Sequence, residues 1–194
     1  ASVVEVMGAC AGAAFWRVKM LRQIGLFREE FFANYEDADL SLRGIVAGWR
    51  FVFQPKAVVY HKHNYSIKKI RDFNFNLRSQ KNQLLAYWYN LPFLVILFNL
   101  PFIILRDLGV TLGVLIFGRF DLLKVFWLAR FWFLKNWRQI FQERKKIQQF
   151  SRASSWVILR KQKFFFPLYF TYFKRIILAR ETSLLTASSR AKKD

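Results

Sequence analysis

The chain is poor in cysteine, histidine and acid. Its 194 residues contain one cysteine, Cys10, two histidines, His61 and His63, and 12 Asp/Glu against 32 Lys/Arg. One cysteine excludes an intrachain disulfide and fits a reducing compartment. The first thirty residues lack the charged-then-apolar layout of a signal peptide, and residue 1 is Ala rather than Met, so the sequence reads as starting mid-protein. There is no internal repeat and no low-complexity tract. What is present in quantity is apolar: 54% of residues are hydrophobic and 19% aromatic, which excludes a disordered chain. The length suffices for one ordinary domain.

The scarcity of acid is uneven. Residues 1–66 hold 8 Lys/Arg against 6 Asp/Glu, residues 67–118 hold 6 against 2, and residues 119–194 hold 18 against 4. The first third is balanced like a soluble domain. The last third is suited to a polyanion, either nucleic acid or an anionic lipid surface.

Local patterns divide the chain in the same places. "SVVEV" (2–6), "RFVFQ" (50–54) and "AVVYHKH" (57–63) read as strands. "MGACAGAAF" (7–15) is a run of small residues that lets a backbone or ligand come close. "WRVKMLRQIG" (16–25) has helical spacing. A second helix starts near Tyr35, with Ala38, Leu42, Ile45, Val46 and Trp49 on one face and Gly48 at its end. Residues 67–82 form a polar, basic helix. Leu84 to Leu105 is then uncharged, which as a helix is about 33 Å long, enough to cross a bilayer. It contains Asn90, Pro92, Asn99 and Pro101, and residues 108–118 add a second, shorter uncharged run. These interruptions favour kinked helices lying in the membrane interface over a simple span. Farther on, Phe and Trp alternate with cations. Lys124, Arg130, Lys135 and Arg138 fall on roughly 140° of helical arc. Interleaved aromatic and basic residues also suit nucleic acid, but the long aliphatic runs point to lipid. By the positive-inside rule the basic tail lies on the cytoplasmic side.

Three of the twelve acids crowd into "FFANYEDADL" (31–40): Glu36, Asp37 and Asp39. As a helix start this needs no chemistry: Asn34 would cap, Asp37 would sit at the third position, and acids there complement the helix dipole. The histidines shift the balance. His61 and His63 follow Asp37 by 24 and 26 residues, and at strand spacing both face one side. An H-x-H pair is a plausible but weakly specific metal-ligand spacing. Helix, Gly-Trp turn and strand together can bring acid and imidazole to one edge.

The run from "GACAGAAFWRVKMLRQIGLF" through "FFANYEDADLSLR" and "AGWR" to "PKAVVYHKHNYS" resembles the C-terminal half of the catalytic domain of family 2 glycosyltransferases. The branch closest in pattern contains rhamnosyltransferases and galactofuranosyltransferases. The resemblance covers about residues 3–66, and the region from "RSQKN" onward is similar, with weaker motifs, to that branch's membrane-associated extension. It implies an α/β fold for residues 1–66, the C-terminal half of a Rossmann-like GT-A domain. Residues 67–118 would follow as a basic helix and apolar membrane-associated segment, and 119–194 as a basic aromatic helical tail. It implies an inverting transfer of a sugar from a nucleotide-diphospho-sugar to a glycan or lipid-linked acceptor in cell-envelope polysaccharide synthesis. Asp37 would be the general base, with Glu36 beside it. Gly8, Ala9, Cys10 and Tyr35 would contact substrate. His61, or alternatively His63, would complete a Mg²⁺ or Mn²⁺ site. An anionic membrane surface is the implied partner and no nucleic acid is expected. The pattern departs from the family in two ways. No Asp-x-Asp precedes the matched region, Asp37-Ala38-Asp39 being the only such spacing, and Arg28 stands where relatives often carry an acid. The expectation is therefore a fragment inactive by itself. The alternative is a non-catalytic membrane- or nucleic-acid-binding module that keeps a degenerate half-domain.

Overall fold

The structure, a computed structural model, describes residues 2–60 and 72–162. Among the described residues the chain is predominantly helical. Strand β1 (Val4–Val6) leads through a 3-10 turn at Ala11–Ala13 to helix α1 (Val18–Ile24), a second 3-10 turn at Glu29–Phe31 and helix α2 (Glu36–Val46). Strand β2 (Phe51–Phe53) follows, and then helices α3 (Phe73–Asn90), α4 (Phe93–Ile116), α5 (Phe120–Lys135), α6 (Trp137–Gln148) and α7 (Ser155–Lys161).

This corrects the expected α/β, Rossmann-like half-domain. The described residues contain one sheet of two three-residue strands, paired antiparallel in the register Val4↔Phe53, Glu5↔Val52, Val6↔Phe51. A Rossmann-like layer needs parallel strands buried on both faces, whereas Val4, Val52 and Phe53 are each more than half exposed. Residues 57–60 are not a strand: Val58, Val59 and Tyr60 have no partner strand and face solvent. β-branched composition supplies propensity, but a strand exists only where a neighbouring backbone completes its ladder.

Helix α3 organises the fold. Asp72 caps it by accepting from the Phe75 amide at 2.7 Å. It packs against α2, α5 and α6. It also runs to Asn90, so the uncharged stretch from Leu84 is not one membrane-length helix. Its first turns complete α3 and bury Leu85, Ala86 and Tyr89 with Phe31, Ile140 and Ile147. Pro92 ends this unit by sitting at the N-cap of α4, where its missing N–H is not needed. A second core joins Met20, Ile24, Leu40 and Val46 to Leu91, Val95, Ile96 and Ile158. Both cores draw on the first sixty residues and the later helices together. The chain closes on itself where the Arg152 and Ala153 amides both donate to the Val46 carbonyl, at 2.8 and 2.9 Å.

Candidate functional site: the N-terminal end of helix α2 and the apolar face of helix α4

The first two turns of α2 meet the small-residue segment after β1. The Ala9 amide donates to Ser41 Oγ at 3.1 Å, and the Ala11 amide donates to Asp37 Oδ2 at 3.1 Å. Gly8 permits the approach: a Cβ there would lie 2.7 Å from the Ser41 Cβ, inside any tolerable contact. An open cleft of about 380 Å³ results, lined by Gly8, Ala9 and Cys10 on one wall and by Asp37, Ser41 and Leu42 on the other. Four of the six residues expected to act on substrate therefore share one cleft. Among the described residues no lysine or arginine lines it. Asp37 is partly exposed and also accepts from the Ala38 amide at 2.8 Å. A carboxylate offers about four acceptor positions, so these two amides leave room for an incoming hydroxyl.

The other two occupy the approach to the helix. Tyr35, not Asn34, is the N-cap, in left-handed conformation and without a side-chain capping bond. The expected Asn34 cap is absent because Asn34 turns to α3, donating to Ser79 Oγ at 3.4 Å. Glu36 is half-buried, and among the described residues its Oε2 has no hydrogen-bond partner. Cys10 is exposed and unpaired. His61 and His63 lie outside the described residues, so the metal ligand expected there is not placed. Among the described residues no three His, Cys, Asp or Glu side chains gather in a metal-binding group.

Asp39 has a different environment. It is fully buried, and Arg43 donates to its Oδ2 from Nε at 2.9 Å. Asn90 Nδ2 donates to Oδ1 at 2.8 Å. Arg43 continues to the Ile24 and Leu26 carbonyls at 2.6 and 2.8 Å, tying α2 to the end of α1. Burial pushes the Arg43 guanidinium down from the ordinary arginine range and Asp39 opposes the shift. This pair consumes Asp39 structurally, as a helix-start acid with a partner.

Sequence reasoning missed Asn82 and Asn90. The Asn82 side-chain amide faces the carbonyls of Phe31, Ala33 and Asn34 at 2.6, 3.2 and 3.0 Å. Both asparagines stand on the face of α3 that carries Leu85, Ala86 and Tyr89. A polar residue at an apolar phase of a helix is the signal that was available.

The second feature is surface. α4 is long and apolar enough to cross a membrane, yet only 11% of its apolar window is buried. Phe93, Leu94, Leu97, Phe98, Leu105 and Leu112 are among its exposed side chains. At 100° per residue the exposed set spans roughly 200° of arc. The opposite side packs on α5 and α7. There Arg106 pairs with Asp107 at 2.6 Å, and Arg130 of α5 pairs with Asp107 at 3.2 Å and donates to Gln80 at 2.9 Å. Arg130 is thus inside the bundle, not on the cationic arc expected for α5. Lys124 and Lys135 are exposed beside Leu128, Phe131 and Leu134.

Compared with protein-family models, with curated proteins and with solved structures, the chain has no significant match in any of the three.

Proposed function

We propose that this chain carries the acceptor-activating part of an inverting sugar transferase attached to the membrane surface. The observation that supports this best is the meeting of the Gly8–Cys10 segment with Asp37 in one open cleft, two of the three features on which the resemblance to family 2 glycosyltransferases rests. The reading does not use a Rossmann-like layer. The open cleft beside Asp37 is read as the place of the acceptor sugar. Asp37 takes the proton of an acceptor hydroxyl as that oxygen attacks the anomeric carbon. The bond to the nucleotide diphosphate breaks and its electron pair leaves with the phosphate. Attack opposite the leaving group inverts the anomeric centre. A base within hydrogen-bond reach of the hydroxyl contributes about 10²–10⁴-fold. Glu36 stands next to Asp37 in the chain but does not line the cleft, and its buried Oε2 has no hydrogen-bond partner among the described residues. A Mg²⁺ or Mn²⁺ would rest on His61 or His63 and supply charge for the departing diphosphate.

Membrane attachment follows from the exposed face of α4. One side of that helix is fixed to protein through Asp107 and the other is apolar, so α4 lies in the plane of the interface, its phenylalanines and leucines in the acyl boundary. Lys124 and Lys135 reach anionic headgroups, and the charge bias assigns the cytoplasmic leaflet. The acceptor is accordingly a lipid-linked or envelope glycan.

The test is transfer of labelled sugar from a nucleotide-diphospho-sugar to membrane glycan by the intact protein. Asp37→Asn is expected to lower transfer by roughly 10²-fold or more with donor binding unchanged. Undiminished transfer removes Asp37 as the base. A second reading, a non-catalytic membrane module, draws on the exposed apolar face of α4. It is favoured if the unaltered protein binds vesicles but transfers no sugar.

A further inference from the structure

Between the buried Phe31 and the start of α2 the backbone takes an unusual course. Phe32, Asn34 and Tyr35 all have positive φ, at 50°, 67° and 67°. None is glycine, and for residues with a Cβ this region is disfavoured, most of all for the aromatic pair. Such a course persists only where the surroundings over-determine it. The contacts that do so come from α3. Asn82 is 2% exposed, and its one amide group faces three carbonyls of this loop, those of Phe31, Ala33 and Asn34. Asn34 reaches Ser79, and the Arg78 guanidinium lies 5.1 Å over the Phe32 ring. Beyond the loop, Asn90 grips Asp39 at 2.8 Å. Glu36 and Asp37 are thus bracketed on both sides by amides of one rigid helix.

We infer that Asn82 is a positioning residue for Asp37: it holds the loop 32–35 in its left-handed course and so fixes where the Asp37 carboxylate enters the cleft. The inference rests on the reading of Asp37 as the base, and it assigns a function to an otherwise unexplained buried amide. A leucine of similar size would fill the same space and supply none of the three bonds. The Ala11 amide reports the position of Asp37 directly, since it donates to Oδ2.

The experiment compares the intact protein with Asn82→Leu and, as a second variant, Asn82→Ala. Amide hydrogen exchange is followed at Ala11, across residues 32–37 and in the α3 core around Ala86, together with kcat and KM for sugar transfer. Exchange at Ala11 and 32–37 is expected to rise about tenfold or more while Ala86 keeps its protection. The kcat is expected to fall roughly 100-fold with KM within about twofold, the effect of a small misplacement of a reacting group. Unchanged exchange at Ala11 in both variants overturns the inference. So does equal loss of protection at Ala86, which marks a general core role, or an undiminished kcat. If the unaltered protein transfers no sugar, the transferase reading fails, and exchange at Ala11 alone still decides whether Asn82 places Asp37.

Discussion

Three carboxylates within four positions meet three different environments. Asp37 is tied by two amides at the edge of a cleft, Glu36 keeps a buried oxygen without a partner, and Asp39 is buried against Arg43 and Asn90. Their shared helix start would stabilise all three through the dipole, so the dipole does not distinguish them; tertiary partners do. Asp39 is the one whose loss should harm folding. Removing it leaves the Arg43 charge buried without its counter-ion, a change worth about 3–5 kcal/mol. Asp39→Ala is expected to lower the unfolding free energy from urea titration by that amount, whereas Asp37→Asn should leave it nearly unchanged. Equal stability losses for the two would contradict the division of roles. Tyr89, nearby on α3, is held well above the ordinary tyrosine range by burial, with the Glu30 charge adding to the shift.

At the scale of the element, the break at Pro92 sets which apolar stretch can meet a membrane. Without it, Leu84–Leu105 reads as one apolar helix of spanning length. With it, the turns before the break enter the core, and among the described residues Phe93–Ile116 presents the long exposed apolar face. That face should bind lipid independently of the fold beneath it. Leu108→Glu and Leu112→Glu alter exposed positions, so the thermal midpoint is expected to hold. Each leucine kept out of the acyl boundary forfeits about 1.5–3 kcal/mol of burial, so vesicle partitioning should drop at least tenfold per substitution. Partitioning that survives both changes would locate the membrane contact elsewhere.

At the scale of the whole molecule the charge is +20, and 18 of the 32 cations lie in residues 119–194. A peripheral protein attached by both charge and apolar contact should pellet with anionic vesicles more than with neutral ones. Raising salt from about 0.1 to 1 M shortens the screening length from roughly 10 to 3 Å, and the anionic preference should shrink with it. Release only by detergent, at any salt, would instead identify α4 as a span.

Much of this was legible in order along the chain. Helix α1 and its stop at Gly25, helix α2 and its stop near Gly48, and the small-residue run all follow from local spacing and chemistry. What was not legible depends on partners remote in sequence. Residues 57–60 have strand composition but, among the described residues, no neighbouring strand, and the expected α/β layer is absent there. Arg130 has the phase of a surface cation but an inward partner in Asp107. The cap at Asn34 was plausible locally and was displaced by Ser79 and Asn82, 45 and 48 residues away. By itself the sequence determined which residues carry charge, where helices stop and which surface is apolar, because these depend on the nearest few positions. Only the tertiary structure decided which acid is buried, which is presented to a cleft and which side of α4 faces outward, because burial and pairing belong to elements that meet in space.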